Sequence, residues 1–223
     1  MRKAIQLFIE DDKTQLEKEE ALLPVITKNY NKSLTSFQRI VPSIYKTLKN
    51  HTSQHNSVFV NKEGEVDIVE SSSGTVFYGS QVSKSISRHV ERFLATPQQL
   101  QLSSAEGRPT LTPPPSRENA LVVFGVGLGW HLAELLNATD IKHIVVYEPN
   151  IDYLVCSLYA GVWPRIFDIA QKNKVSLYLQ LPSNGKSLYS DLNELHSAFG
   201  ISSSLVYFHY HCSEFDDIRD ELT

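Results

Sequence analysis

One segment constrains the fold of this chain more than any other. Residues 120–124 form the uninterrupted apolar run Ala-Leu-Val-Val-Phe, and Gly125, Gly127 and Gly129 follow it at alternate positions. Such a run is typical of a strand that is buried on both faces of a parallel sheet. Closely spaced glycines after a strand allow a tight turn into a helix, whose free N–H groups then face the turn. The segment therefore predicts a strand–turn–helix unit with a candidate ligand site at the turn.

The alternation of strand and helix patterns continues beyond this unit. Apolar, strand-like runs occur at residues 144–147, 175–180 and 205–208, and helical patterns occur at residues 130–136, 151–159 and 187–199. This order predicts an α/β domain with a Rossmann-like, mainly parallel sheet, right-handed crossovers and helices on both faces. Because four strands are fewer than most such sheets contain, we expect residues 120–223 to be a domain truncated at its C-terminal end.

The first half of the chain has a different pattern. Residues 2–50 have helical spacing, and Pro24 and Pro42 are expected to limit how far any helix can run. Between residues 57 and 78 apolar residues alternate with other residues, which predicts a small three-stranded meander. We therefore expect a small α+β domain before the parallel sheet.

The domain boundaries follow from the residues between these two regions. A helical pattern at residues 82–94 is followed by a polar, proline-rich run without periodicity. We therefore predict an N-terminal α+β domain over residues 1–96, a proline-rich linker over residues 97–119 and the Rossmann-like domain over residues 120–223.

Composition excludes several classes of function. The 21 Lys and Arg residues against 25 Asp and Glu give a net charge of −4, and no dense basic stripe is present, so a nucleic-acid partner is not expected. No stretch has the length of a signal-peptide core or a membrane span, which favours a cytoplasmic protein. Cys156 and Cys212 are the only cysteines, and their apolar surroundings indicate buried free thiols and no metal site.

Four residues form the first candidate ligand site. Gly125, Gly127 and Gly129 would let the backbone approach a phosphate or ribose closely. Glu148 follows the next predicted strand about 20 residues later, where a carboxylate can accept hydrogen bonds from ribose hydroxyls. An alternative interpretation is architectural: the glycines let the helix pack closely on the sheet, and Glu148 lies beside a turn.

Other polar and aromatic residues extend this candidate site. Trp130 is placed to stack on a base or sugar, and His131 to donate a hydrogen bond to a phosphate from the first helical turn. His209 and His211 are second-rank candidates at the end of the last predicted strand, where alternate residues share one face. No residue of the sequence is identified as a catalytic base.

The glycine spacing leaves the type of ligand open. The dinucleotide fingerprint Gly-x-Gly-x-x-Gly requires glycine at position 130, which is Trp130, so NAD binding is disfavoured. Gly-x-Gly-x-Gly followed by an acid also resembles the adenosylmethionine-binding turn of methyltransferases. That family normally has an acid two residues before the first glycine, where this chain has Val123. A methyltransferase-like domain is therefore retained as an alternative.

Three sequence strings together resemble one protein family. They are Val-Val-Phe-Gly-Val-Gly-Leu-Gly-Trp-His-Leu-Ala-Glu-Leu-Leu (122–136), Ile-Lys-His-Ile-Val-Val-Tyr-Glu-Pro-Asn (141–150) and Leu-Val-Cys-Ser-Leu-Tyr (154–159). In order and spacing they resemble the motility accessory factor (Maf) flagellin glycosyltransferases. The region around Asn61 and Tyr78, with the helix that follows, looks like the small N-terminal domain of that family.

The resemblance implies a function that the residue patterns alone do not. Maf proteins transfer a nonulosonic acid, such as pseudaminic or legionaminic acid, from its CMP-activated form to Ser or Thr of flagellin, the subunit of the bacterial flagellum. The expected partners are then flagellin and the nucleotide sugar, with no tightly bound cofactor, and self-association into a homo-oligomer is a further hypothesis. The family's second glycine motif, Gly-Ala-Gly-Pro-Ser-Leu, does not occur here. A non-catalytic module that binds flagellin or aids assembly is therefore an alternative.

Overall fold

The computed structural model describes residues 4–101, 120–181, 186–199, 203–213 and 215. Its helices are a short 3-10 turn (Ile5–Leu7), α1 (Asp12–Ile40), α2 (Pro42–Asn50), α3 (Val82–Ala95), α4 (Trp130–Ala138), α5 (Ile151–Ala160), α6 (Trp163–Asn173) and α7 (Lys186–Phe199). Its strands are β1 (Asn56–Val60), β2 (Val66–Glu70), β3 (Gln98–Gln101), β4 (Ala120–Phe124), β5 (His143–Tyr147), β6 (Ser176–Gln180) and β7 (Ser203–Phe208).

Residue contacts divide the described chain into two compact units. Unit 1 comprises the described parts of residues 1–88, 127–134 and 151–168, and unit 2 those of residues 89–126, 135–150 and 169–223. The chain passes from one unit to the other several times. The domain boundaries inferred from sequence stay a prediction. The five-stranded sheet lies in unit 2, and the helices α1, α2 and α5 lie in unit 1.

The sheet of unit 2 has the strand order β3-β7-β4-β5-β6. Strands β7, β4, β5 and β6 are mutually parallel, and β3 pairs antiparallel with β7 at the edge. All five residues of β4 are buried, as an apolar strand at the centre of a parallel sheet should be. The predicted Rossmann-like, mainly parallel sheet is therefore confirmed.

Both faces of this sheet carry side chains that pack against helices of unit 2. On one face Val122, Phe124, Val145, Tyr147 and Val206 form a core with Leu188 and Leu192 of α7. On the other face Tyr207, which alternates with Val206 along β7, contacts Phe93 of α3 with ring centroids 5.2 Å apart. Helices therefore cover both faces, because successive side chains of a strand point to opposite sides of the sheet.

Unit 1 is organised around packing between α1 and α5. The hydroxyl of Ser33 in α1 is fully buried and donates to the Leu158 carbonyl of α5 over 3.0 Å. Phe37 of α1 packs against Trp163 and Phe167 at the start of α6, with ring centroids 4.7 and 5.3 Å apart. The long helix thus contributes a small polar residue and an aromatic anchor on one face, while most of its other residues are exposed.

Helix α1 differs from the prediction at Pro24. The helix runs for 29 residues with Pro24 inside it, and Asp11 caps its start by accepting from the Thr14 N–H at 3.2 Å. Pro24 and Glu20 are both exposed, so the carbonyl that loses its i+4 donor can be hydrated. Pro42, in contrast, begins α2 at the first helical position, where a missing N–H costs nothing. Pro24 was thus wrongly expected to end a helix, and Pro42 was correctly expected to mark a boundary.

The predicted meander contains two strands instead of three. Strands β1 and β2 pair antiparallel, and the third segment makes isolated bridges in place of a strand: Thr75 bridges Ala4, and Val76 bridges Val69. Beyond these bridges, the fully buried Asp67 carboxylate accepts the N–H groups of Tyr78 at 3.1 Å and Gly79 at 2.7 Å. A side chain thus takes the backbone donors that a third strand would have used, because buried N–H groups must be paired by some acceptor.

Two elements of the structure, β3 and α6, were not predicted from sequence. Within residues 97–119, Gln98–Gln101 form β3, and residues 102–119 lie outside the described part of the chain. The short polar run gave no strand periodicity, since β3 is an edge strand that pairs on one side only. Helix α6 was not predicted either, although Pro164 near its start is a typical first-turn signal.

A buried carboxylate anchors the loop between α2 and β1 in unit 1. Asp152, in the first turn of α5, accepts hydrogen bonds from the N–H groups of Gln54, His55 and Asn56 at 3.0, 2.7 and 3.0 Å, and its other oxygen lies 2.6 Å from His51 Nε2. Burial alone would raise the pKa of the Asp152 carboxyl, but the bonds from His51 and the backbone hold that pKa below its usual value. The carboxylate is therefore ionised, and its hydrogen bonds hold the loop in place.

Candidate functional site

The glycine turn, residues Gly125–Gly129, joins β4 to α4 as predicted. Gly125, Gly127 and Gly129 have φ angles of +97°, +50° and +81°. Residues with a Cβ rarely adopt this region of φ, so the glycines supply the backbone conformation that the turn requires. The turn follows the carboxyl end of β4, the edge at which open α/β sheets bind ligands.

Glu148 lies at the same edge, directly after β5, and is fully buried in unit 2. Its Oε2 accepts from the Val126 N–H at 2.6 Å, and its Oε1 accepts from the Asn150 N–H at 2.9 Å and from the Tyr210 hydroxyl at 2.5 Å. The carboxylate therefore holds the first half of the glycine turn. Its predicted role in binding a ribose stays a prediction, and in this conformation its oxygens are directed at the chain itself.

Tyr210 covers Gly125 within unit 2. A Cβ placed on Gly125 would collide with the Tyr210 ring, and it would also lie 3.4 Å from the Cβ of His209. The backbone continues this contact, because the His209 N–H donates to the Phe124 carbonyl at 2.8 Å. Gly125 is thus required by close packing as well as by its φ angle. The space that the missing side chain leaves is filled by Tyr210.

The second half of the turn belongs to unit 1, where it is also closely packed. The Leu128 N–H donates to the Tyr78 hydroxyl at 3.1 Å. A Cβ on Gly129 would lie 3.0 Å from Val162 Cγ1, which is closer than side chains normally approach. In each unit a side chain therefore accepts a backbone N–H of the turn. A phosphate bound to either of these N–H groups would have to displace the side chain that accepts it, Glu148 in unit 2 or Tyr78 in unit 1.

Trp130 and His131 begin α4 and lie in different surroundings. His131 is fully buried, whereas Trp130 is half-buried and lines an open cavity of unit 1. Contact of His131 with a phosphate would therefore need rearrangement of its surroundings. Trp130 is in part accessible from this cavity, and the functional roles of both residues stay predictions.

The structure does not bring His209 and His211 together as a pair on one strand face. Strand β7 ends at Phe208, so the alternation that the prediction assumed stops before either histidine. His209 is buried, with its Nδ1 3.3 Å from the Tyr207 hydroxyl and its ring stacked 5.9 Å from that of His89. His211 is exposed and stacks on Phe208 at 5.7 Å. The two histidines therefore have different environments.

His89 adds a titratable group that the sequence analysis did not select. Burial lowers the pKa of His89, and electrostatic repulsion from Arg92 and His211 lowers it further. This favours the neutral ring beside Tyr207 and His209. Among the described residues, no group of three or more His, Cys, Asp or Glu side chains is arranged to hold a metal ion. In the same part of the chain, no helix is long and apolar enough to cross a membrane.

Several residues that define the site were not identified from sequence. Tyr210 and Tyr78 lie about 60 and 50 residues from the groups they contact, Glu148 and Leu128, as the pairs in these bonds show. No local pattern signals such long-range hydroxyl bonds. Asp152 had a local signal, because it lies in the first turn of a predicted helix, a position that favours acids.

The fold and this edge define a Rossmann-like α/β protein with a glycine turn after its first parallel strand. The family model of the glycosyltransferase Maf N-terminal domain matches residues 29–112 and 103–223. The chain belongs to this family, which confirms the resemblance seen in the sequence.

One solved structure supports the fold assignment. The structure of a Maf glycosyltransferase from Magnetospirillum magneticum AMB-1 is similar with a TM-score of 0.61 and 20% sequence identity, over 87% of this chain and 34% of that chain. At this identity the likeness shows the fold alone. The chain thus spans about a third of the length of that glycosyltransferase. No curated protein matches the chain.

Proposed function

We propose that this chain is the N-terminal part of a flagellin glycosyltransferase that transfers a nonulosonic acid from a CMP-activated donor to Ser or Thr of flagellin. The observation that carries this proposal is the match of the Maf N-terminal domain model from residue 29 to residue 223. Pseudaminic acid is one donor sugar that fits the proposal. CMP-nonulosonic acid is a substrate here, and no tightly bound cofactor is invoked.

Within this function, we assign the chain to binding and positioning instead of bond breaking. In such a transfer the protein places the acceptor hydroxyl and stabilises the departing CMP phosphate. The N-terminus of α4 offers a partial positive charge to that phosphate. However, Glu148 and Tyr78 accept two N–H groups of the glycine turn. The proposal therefore includes donor contact at this turn only with local exchange of these acceptors.

The same hydrogen bonds favour a second candidate function. A turn whose N–H groups are accepted by its own chain is stable without a ligand, which suits a module that binds flagellin or supports assembly. In that case the glycine turn is architectural, and the chemistry is performed elsewhere in the polypeptide. The two candidates share the family and differ in whether this chain contacts the donor.

A thermal-shift panel separates these candidates. The chain is melted with CMP, CDP, CMP-sialic acid, adenosylmethionine, NAD or no ligand, and a ligand at about 100 times its Kd adds about 2.7 kcal/mol of stability. Donor contact predicts stabilisation by the cytidine compounds that Gly127→Asp abolishes. Gly64→Asp is the matched control, because Gly64 also has a positive φ, +82°, and a Cβ added there would meet no heavy atom within 4 Å.

The other outcomes have defined meanings. No stabilisation by any compound supports the binding module and counts against donor contact in this chain. Stabilisation by adenosylmethionine alone would favour the methyltransferase-like alternative and overturn the proposal.

Transfer to flagellin needs a direct assay. The polypeptide that carries this chain is co-expressed with flagellin and a source of CMP-pseudaminic acid, and intact flagellin is weighed by mass spectrometry. A mass increase by whole nonulosonic acid residues supports the proposal. Unmodified flagellin, with the donor demonstrably present and the protein folded, would contradict it.

A further inference from the structure

Unit 1 contains a cavity that the proposed function does not use. It has a volume of about 300 Å³ and is lined, among others, by Trp130, Tyr159, Glu65, Glu134, Ser83 and Asn29. This is the lower end of the size range of small-ligand pockets. We call it the unit 1 cavity. A ligand in this cavity would go beyond the proposed function, which concerns the donor and the glycine turn.

The first feature of the unit 1 cavity is its aromatic wall. Trp130 and Tyr159 are both half-buried, so each presents part of its ring to the open volume. Tyr159 is held in place by Tyr30 of α1, with ring centroids 4.7 Å apart. Indole and phenol faces carry negative electrostatic potential and attract a cation within about 6 Å of the ring centre.

The second feature is a pair of carboxylates with different surroundings. Glu65 accepts from the N–H groups of Val82 and Ser83 at 2.9 and 3.1 Å, and from the Ser83 hydroxyl at 2.5 Å. Burial alone would raise the pKa of the Glu65 carboxyl, yet the bonds from Ser83 and Val82 hold that pKa below its usual value. Glu65 is thus ionised, and the N-terminus of α3 partly offsets its charge.

Glu134 is the second carboxylate of the lining. It lies in α4, and among the described residues its Oε1 accepts one hydrogen bond, from the Ser87 hydroxyl at 2.8 Å. An ionised carboxylate has about four acceptor sites, so one such bond leaves capacity for a ligand. None of the described residues that line the cavity is Lys, Arg or His. Its lining is therefore acidic and aromatic, which disfavours phosphate and carboxylate ligands.

We propose that the unit 1 cavity binds an organic cation, a primary ammonium or guanidinium group, between the Trp130 face and the Glu134 carboxylate. Glu65 adds a fixed negative potential, and Tyr159 contributes a second aromatic ring to the lining. A charge-assisted hydrogen bond to Glu134 together with cation–π attraction supplies the affinity. The same chemistry is carried by a Lys or Arg side chain of a polypeptide and by a free amino sugar, which the experiment distinguishes.

The two tryptophans of the chain provide the measurement. In a ¹H–¹⁵N spectrum of the full chain, Trp130 and Trp163 each give one indole N–H signal. Trp163 is fully buried, and its indole N–H donates to the Ser157 hydroxyl at 2.6 Å, so its signal serves as an internal control. The Trp130 signal reports on the cavity that it lines.

The ligands form matched pairs that differ in charge. Blocked lysine and arginine amides are titrated beside blocked glutamine amide, and glucosamine beside N-acetylglucosamine. We expect the cationic compounds to shift the Trp130 signal, more weakly at high salt, while the neutral partners and the Trp163 signal do not respond. A response to the blocked amino acids points to a polypeptide side chain, and a response to glucosamine alone points to an amino sugar.

Variants assign the binding to the cavity. Glu134→Gln should raise the Kd of the responding cation at least tenfold, whereas Glu17→Gln, at an exposed position of α1, should leave that Kd unchanged. Equal shifts by charged and neutral partners would overturn the proposal. So would no shift with any of these cations at 20 mM, or an unchanged Kd in folded Glu134→Gln.

Discussion

The glycine turn and the unit 1 cavity represent opposite ways of placing polar groups. At the turn, N–H groups of Val126 and Leu128 donate to Glu148 and Tyr78, and the Tyr210 ring fills the space above Gly125. In the cavity, two carboxylates and two aromatic rings face about 300 Å³ of open volume. The turn carries the recognisable motif, while the cavity carries no motif at all.

This difference shows that a glycine motif indicates a particular backbone geometry and does not by itself indicate a bound ligand. Positive φ angles and close contacts explain Gly125 and Gly129 without any bound molecule. Open acceptor capacity, in contrast, arises where residues distant in sequence meet, as Glu65 and Glu134 do around one volume. The following predictions test this contrast, beginning with the largest effect.

Glu148→Ala should give the largest loss of stability. The substitution leaves the Val126 and Asn150 N–H groups and the Tyr210 hydroxyl without their acceptor. Since a buried unpaired donor costs about 1–3 kcal/mol, we expect a loss of at least about 3 kcal/mol in urea unfolding. Glu148→Gln, which keeps one acceptor oxygen, should lose less. If Glu148→Ala changed the free energy of unfolding by under about 0.5 kcal/mol, the turn would not be held as described.

Asp152→Asn should cost about 2 kcal/mol at neutral pH, because three backbone donors and His51 lose a charged acceptor. The pKa of the Asp152 carboxyl is lowered in the folded state. Its stabilising contribution is therefore complete above the unfolded value of about 3.9 and disappears as pH falls through the lower folded value. Urea unfolding of both proteins across pH 2–7 checks this. A difference in stability that stays constant down to the lowest pH would contradict the described carboxylate.

Gly125→Ala should destabilise the chain more than Gly64→Ala. Both residues have positive φ, which costs about 1–2 kcal/mol for alanine, but only Gly125 also meets the Tyr210 ring. In a Tyr210→Ala background the cost of Gly125→Ala should fall to that of Gly64→Ala. Thermal unfolding of the four variants measures this coupling. Equal costs for Gly125→Ala in the two backgrounds would remove Tyr210 from the account of the turn.

Glu134→Gln should have the smallest effect on stability. Glu134 is half-buried, and within the described part of the chain it accepts one hydrogen bond, from Ser87, which glutamine can also accept. We expect a change within about 0.5 kcal/mol, the range of ordinary surface substitutions. The same urea experiment as for Glu148 gives a direct comparison. A loss as large as that of Glu148→Ala would mean that the polar groups of the cavity, like those of the turn, are already hydrogen-bonded within the chain.

Much of the fold could be predicted because its signals are local. The apolar run of β4, the glycine spacing and the alternation of later elements predicted the parallel sheet, and β4 is indeed buried throughout. The predicted third strand of the meander is absent, and this could not be seen from sequence, because the Asp67 carboxylate accepts the N–H groups of Tyr78 and Gly79. Pro24 misled because an exposed helix can tolerate a missing hydrogen bond that a buried one cannot.

The candidate site, too, could be predicted only in part from the sequence. Sequence placed Glu148 and the glycines at one edge of the sheet, since the carboxyl ends of parallel strands meet there. It did not show that Glu148 is buried and bonded to Tyr210, nor that β7 ends before His209 and His211. Both facts depend on where β7 ends and on what the residues after it contact, and no local pattern of residues specifies either.

By itself the sequence determined the type of most long elements, although not of α6, together with the strand–turn–helix unit and the family. Periodicity and glycine spacing could do this because they are properties of neighbouring residues. Tertiary structure decided which polar groups are hydrogen-bonded within the chain and which face open space. The hydroxyls of Tyr210 and Tyr78 reach their partners across 62 and 50 residues. Burial and hydrogen bonding are satisfied in three dimensions, so residues far apart in sequence decide whether a motif remains open to a ligand.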